Sequence, residues 1–174
     1  MGEGAPREGA VWRTPMQIEL RRISYSAALS QETSAFSAEV WIDGELAFLV
    51  RNEGTGGADF YRQVGRLTQA EVDAWLASNR LPRMLDEHLG CDHDLEIEVS
   101  DLLIRAVEGR RLKRLLRTNL VTIESDQILH YPLRKRPLAI IARAVRATNP
   151  AAVIVNDAGD EMFARALDLL LASR

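Results

Sequence analysis

Residues Ser30–Gly57 read SQETSAFSAEVWIDGELAFLVRNEGTGG, and the register of this stretch governs what surrounds it. Apolar side chains recur at Phe36, Ala38 and Val40, then at Leu46, Phe48 and Val50, with the two-residue period of a half-buried strand. Between them stands Asp43-Gly44, a hairpin turn signal. A two-residue turn there puts the two apolar sets on opposite faces. A three-residue loop, Ile42-Asp43-Gly44, pairs Val40 with Leu46, Ala38 with Phe48 and Phe36 with Val50, and all six then share one face. A slip of one residue loses that burial, so the pattern favours the three-residue loop, with Gly44 in the left-handed position of a bulged turn.

Continued outward, this register sets Glu32 opposite Gly54 and Thr33 opposite Glu53. With residues 16–29 as the first strand of an up-down-up meander, Gln31-Glu32-Thr33 and Asn52–Gly57 fall at one sheet end. Glu32, Thr33, Asn52, Gly54, Gly56 and Gly57 therefore form a candidate ligand site. Successive glycine N–H groups suit an anion, and Glu32 suits a general base or a cation ligand. The plainer alternatives are a bulged loop that needs positive φ and a solvated turn acid. No Gly-Lys-Ser/Thr follows, so this is not a Walker loop, and no helix start at the right spacing makes it a dinucleotide-binding turn.

Farther along, Thr68-Gln69-Ala70-Glu71 is a capping box, and the helix it opens runs to about Ser78 with Val72, Trp75 and Leu76 inward. Residues 83–93 read as irregular. A helix over about 95–108 ends where Gly109 breaks the phase, and Leu112, Leu115 and Leu116 begin a short basic helix. Residues 119–124 and 127–133 form a second hairpin around Ser125-Asp126. A helix at 138–147, a buried strand at Ala152–Val155 and a last helix at 159–172 follow. This helix-strand-helix ending predicts one parallel strand pairing.

The motifs SxETxAFxA (Ser30, Glu32, Thr33, Ala35, Phe36, Ala38), DG (Asp43, Gly44) and NxGxGG (Asn52, Gly54, Gly56, Gly57) recur as a set. With LKRLLR (Leu112–Arg117) and IVND (Ile154–Asp157), they make residues 16–174 resemble a group of small uncharacterised bacterial and phage-borne proteins with no assigned function. The resemblance implies the α+β layout and an association with mobile elements. It carries no activity and no site residue.

Charge is the strongest functional signal. The net charge of −3 hides a segment, Arg105–Arg146, with eleven Lys/Arg against three acids, while the remainder nets −11. Arg110, Arg111, Lys113, Arg114 and Arg117 lie on the short basic helix, and Arg134, Lys135 and Arg136 leave the second hairpin. Such clustering suits phosphate contacts. Tyr131 is the one aromatic residue nearby, which argues against base stacking by this segment. The plainer alternative is the wet side of a helix, paired with acids such as Glu96, Glu98 and Asp101. The acidic remainder also admits an inhibitor that mimics an acidic ligand.

His88, Cys91 and His93 offer three of the four ligands zinc wants, yet in no standard zinc spacing, and a polar inter-helix loop explains them as well. Cys91 beside two histidines also admits an activated thiolate. No G-x-S-x-G element is present, and His130 sits in an alternating strand, so no catalytic residue and no cofactor are assigned. The single cysteine precludes an intramolecular disulfide, and the apolar runs are too short for a membrane-spanning helix. Residues 1–15 lack an apolar signal core and read as a disordered tail, with Met16 the expected natural start.

The expectation is one α+β domain over 16–174 with an N-terminal antiparallel β-meander, central helices and a C-terminal ββαβα segment. Its expected role is that of a non-enzymatic cytoplasmic binding or accessory protein, engaging an acidic protein or a nucleic acid through its basic surface. The alternative is a small-ligand binder or enzyme at the Glu32/Gly54–Gly57 sheet end.

Overall fold

A computed structural model of the protein describes residues 15–84 and 89–173. The expected tail lies outside these residues but for Pro15, as does His88. The class is α+β. An antiparallel meander of β1 (Ile18–Ser26), β2 (Ala35–Ile42), β3 (Glu45–Asn52) and β4 (Phe60–Gln63) comes first, in that spatial order. Helix α1 (Gln69–Asn79), a two-residue ladder of β5 (Arg83–Met84) and β6 (Gly90–Cys91), and helix α2 (Leu95–Thr118) follow. The C-terminal segment is β7 (Asn119–Glu124), β8 (Gln127–Pro132), α3 (Leu138–Thr148), β9 (Val153–Ile154) and α4 (Gly159–Ala172). No helix among the described residues is long and apolar enough to cross a membrane. The chain divides into two compact units, one through Glu96 and one from Ile97.

In the first unit the hairpin register differs from expectation. Asp43 and Gly44 make a two-residue turn with φ of 51° and 83°, and Ile42 faces Glu45. Positive φ at both central positions gives a turn whose twist matches that of the strands, which is why Asp-Gly closes the hairpin tightly. The register then shifts at Ala47, so that Val40 faces Phe48, Ala38 faces Val50 and Phe36 faces Asn52. A β-bulge inserts one residue and thus restores the shared face that a plain two-residue turn would lose. The buried face holds Phe36, Ala38, Val40, Ile42, Phe48 and Val50, while Leu46 moves to the other side opposite Trp41. The bulged Ala47 carbonyl accepts the N–H groups of Val64 and Gly65 at 2.8 and 2.9 Å, fixing the exit of β4.

Helix α1 starts as its sequence demands. The Thr68 hydroxyl accepts the Glu71 N–H at 3.3 Å, and Glu71 accepts the Thr68 N–H at 2.8 Å. Val72, Trp75 and Leu76 are its buried stripe.

The second unit is a three-stranded sheet between helices. The order is β8-β7-β9, and β7 is antiparallel to both neighbours, which corrects the expected parallel pairing. β8 and β9 do run parallel, but β7 lies between them. As the central strand, β7 is buried on both faces. Val121 and Ile123 pack with Leu112 of α2 and with Ala166 and Leu167 of α4, while Leu120 packs with Ile141, Ala142 and Val145 of α3. Helix α2 is one helix of 24 residues running through Gly109, not two. A single interior glycine costs only about 1 kcal/mol, and the apolar stripe after it, with Leu112 fully buried and Leu115 and Leu116 partly so, recovers more than that.

Candidate functional site

The structure brings the predicted sheet-end residues together, two places out of the expected register. The exit of β3 and the turn before β2 interlock through Asn52. Its side-chain oxygen accepts the Thr33 hydroxyl at 2.8 Å and the Gly54 N–H at 2.9 Å. Its side-chain nitrogen donates to Asp59 Oδ1 at 2.8 Å and to the Gly57 carbonyl at 3.2 Å. The N–H groups of Gln31, Glu32 and Thr33 converge at 2.9, 3.1 and 3.4 Å on one acceptor, the Gly54 carbonyl. This is the geometry of an anion-binding concavity, filled by the chain's own oxygen. The Gly56 N–H is held by the Thr33 hydroxyl at 3.3 Å. Glu32 lies over Gly56, where an added Cβ would meet its Oε2 at 2.5 Å. A carboxylate in that place opposes an incoming anion, so the arrangement serves mainly to lock the sheet end.

Beside this lock, burial raises the Asp59 carboxyl above its usual range against the hydrogen bonds from Asn52 and Tyr61 that lower it. Burial also pushes the Tyr61 phenol up, helped by the charges of Asp59, Glu96 and Asp94. Tyr61 donates to Asp59 Oδ2 at 3.4 Å and packs edge-on against Phe48.

Of the candidate metal ligands, Cys91 sits in β6 with its thiol 3.7 Å from the Arg83 carbonyl, and His93 follows in the approach to α2. Among the described residues no three His, Cys, Asp or Glu side chains form a group able to hold a metal ion.

The basic residues fall in the C-terminal unit. Leu112 is fully buried on α2, while Arg110, Arg111, Lys113, Arg114 and Arg117 are exposed. Arg111 pairs with the buried Glu108 at 3.6 Å, and the Lys113 ammonium lies 5.5 Å from the ring of Phe163. Arg114, Arg117, Arg134, Lys135 and Arg136 make no ion pair with a described residue. The turn after β8 is unusual. Arg134 and Lys135 have φ of 47° and 65°, and the Arg136 N–H closes onto the Leu133 carbonyl at 2.8 Å. Turns of this kind favour Asn, Asp and Gly, because other residues are strained at positive φ. The Leu133 N–H bonds the Thr118 carbonyl at 3.0 Å, which sets this turn against the C-terminal end of α2 beside Arg117. The negative end of the helix dipole favours cations there.

Sequence reasoning missed a hub next to this turn. Glu124 accepts from the Thr122 hydroxyl at 2.6 Å, the Tyr131 hydroxyl at 2.9 Å and the Asn149 amide at 2.7 Å. The bonds from Thr122 and Asn149, and then Tyr131, hold its carboxyl below the usual range. A groove of about 430 Å³ opens here, lined by Tyr131, Arg134, Arg136, Ile141 and Val145 among others. The short strand β4, with Phe60 and Arg62, was also missed.

No family model matches the chain, and neither a curated protein nor a solved structure matches it.

Proposed function

We propose that the protein is a non-enzymatic, cytoplasmic binding protein whose C-terminal unit docks on the phosphate backbone of a nucleic acid. The observation that carries this reading is the Leu133–Arg136 turn. It is built from Arg134 and Lys135 at positive φ and joined by the Leu133–Thr118 hydrogen bond to the end of α2 that carries Arg114 and Arg117. Strain accepted at two neighbouring cations that pair with no acid among the described residues supports a role for those side chains outside the fold. Exposed, unneutralised guanidiniums suit phosphate oxygens, and release of condensed counterions drives such binding. The sheet end around Asn52 spends its polar groups on itself, which supports binding over catalysis. The setting in a mobile element rests on the sequence resemblance alone.

The test is fluorescence anisotropy of labelled duplex DNA, single-stranded DNA and RNA against the full chain across a salt series. The expected result is binding that weakens steeply with salt. Arg117→Glu with Arg136→Glu should lower the slope of log affinity against log salt by about 0.7–0.9 for each phosphate no longer neutralised. Absence of binding at low salt, or a slope unmoved by charge reversal, overturns the reading. Tighter binding of polyglutamate than of any nucleic acid transfers it to an acidic protein.

A further inference from the structure

The outer face of the N-terminal sheet carries a second cationic surface with different chemistry. Cross-strand pairing aligns Ser37, Arg51 and Phe60 in one row and Glu39, Leu49 and Arg62 in the next. Both rows face away from the side that buries Ala38 and Val50. Phe60 is 58% exposed on the terminal strand β4, and the Arg51 guanidinium lies 5.2 Å from its ring centroid. Arg62 is exposed, and its side chain makes no hydrogen bond or ion pair with a described residue. Arg22 enters from a β1 irregularity at φ 49° and bonds Glu39 at 2.8 Å, while the Trp41 indole N–H bonds the other Glu39 oxygen at 2.9 Å. The Glu39 carboxylate is thus held by its own partners, and the exposed Glu53 at the strand exit lies 4.0 Å from Arg51, a long contact at the rim. Together these residues enclose an open hollow of about 500 Å³ with three arginines against one acid.

We infer that this face binds a single-stranded nucleic-acid segment, stacking one unpaired base on Phe60 and holding the flanking phosphates with Arg51 and Arg62. The inference does not rest on the phosphate reading of the C-terminal unit, because it concerns other residues and another mode of recognition. An exposed phenyl ring offers its face to any base, whatever its identity, and stacking of this kind tolerates sequence. The guanidinium beside the ring adds charge complementarity to the strand and a cation–π contact. A duplex hides the base faces, so the single strand is the occupant that uses both the ring and the arginines. An open sheet face admits a continuous strand.

The test uses the full chain and three labelled probes of equal length: oligo-dT, the same backbone without bases, and a duplex. The wild-type protein should bind oligo-dT about tenfold or more tightly than the abasic strand. Phe60→Ala should erase that ratio and leave abasic affinity unchanged, Phe60→Trp should keep it, and Arg62→Glu should weaken both single strands. Reversal of Arg117 and Arg136 should lower affinity for both without altering the ratio. Equal binding of oligo-dT and abasic strand overturns the inference and leaves the phosphate reading standing. A base preference that survives while charge reversal in the C-terminal unit does nothing supports the inference and removes that reading. No binding of any probe removes both. Thymidine monophosphate competing as well as oligo-dT assigns the hollow to free nucleotides and overturns the single-strand occupant.

Discussion

The side-chain oxygen of Asn52 accepts the Thr33 hydroxyl at 2.8 Å, tying the turn ahead of β2 to the exit of β3. The same oxygen holds the Gly54 N–H, and the amide nitrogen holds Asp59. One half-buried amide therefore sets the path of two loops.

Asn52→Ala should destabilise the protein by about 2–3 kcal/mol, because it removes several hydrogen bonds and leaves their partners short of them. Thr33→Val removes only the bonds of one hydroxyl and should cost about 1 kcal/mol. Urea denaturation of both variants checks the order. Equal losses would mean that Asn52 is not the centre of the lock.

Glycines in the same loop should differ. Gly54 has φ +85°, and an added Cβ would collide with the Leu29 carbonyl and lie 2.8 Å from Ala35 Cβ. Gly57 has φ +94° with nothing within 4 Å of that position. Gly57→Ala should cost about 1 kcal/mol, from backbone strain alone. Gly54→Ala adds a clash with backbone and should cost about 3 kcal/mol or more. Thermal melts of the two variants separate the effects.

Gly109→Ala should stabilise the protein by about 0.5–1 kcal/mol. The glycine lies within α2 at ordinary helical φ, and an added Cβ would meet Leu167 Cδ2 at 3.6 Å, a normal van der Waals distance. A loss of stability in denaturant titration would show that the packing between α2 and α4 has no room for a methyl group.

Glu124 makes stability depend on acid. Its carboxyl is held below the unfolded value by Thr122, Asn149 and Tyr131, so its contribution is full above about pH 4.3 and fades as pH falls through the depressed folded value. Asp59 has the opposite sign. Burial raises its carboxyl, so its contribution is full below the ordinary aspartate range and fades as pH rises through the raised value. The difference in unfolding free energy between wild type and Glu124→Gln isolates the first effect. It should be largest near neutral pH and shrink toward about pH 3. A difference that stays constant with pH would show that the carboxylate charge contributes nothing.

What could be read in the sequence was mostly local chemistry. The Thr68 capping box, the Ser125-Asp126 turn and the boundaries of α4 follow from a few adjacent residues, and the structure has them. The bulge at Ala47 was not legible, because one inserted residue leaves the alternation on either side intact and only changes which residues pair. β4 is four residues long at a sheet edge, with three of them exposed, so it has no apolar alternation to detect. Gly109 was overweighted, since a local penalty loses to a long buried stripe. At the candidate sites, the clustering of cations along the chain was legible. That Leu133 would bond Thr118 and carry Arg134–Arg136 to the end of α2 was not, because it depends on the sheet pairing.

Asn156 lies just past β9 and finishes work begun far upstream. Its amide donates to the Leu116 carbonyl at 3.0 Å and to the Asn119 carbonyl at 2.8 Å, and its oxygen accepts the Val121 N–H at 2.8 Å. During synthesis the β7–β8 hairpin has its partners as soon as it emerges. The last turn of α2 and the inner edge of β7 must wait some forty residues for theirs. The C-terminal unit is thus completed in reverse, with a late residue closing an early junction, and its native state cannot be reached before residue 156 has left the ribosome.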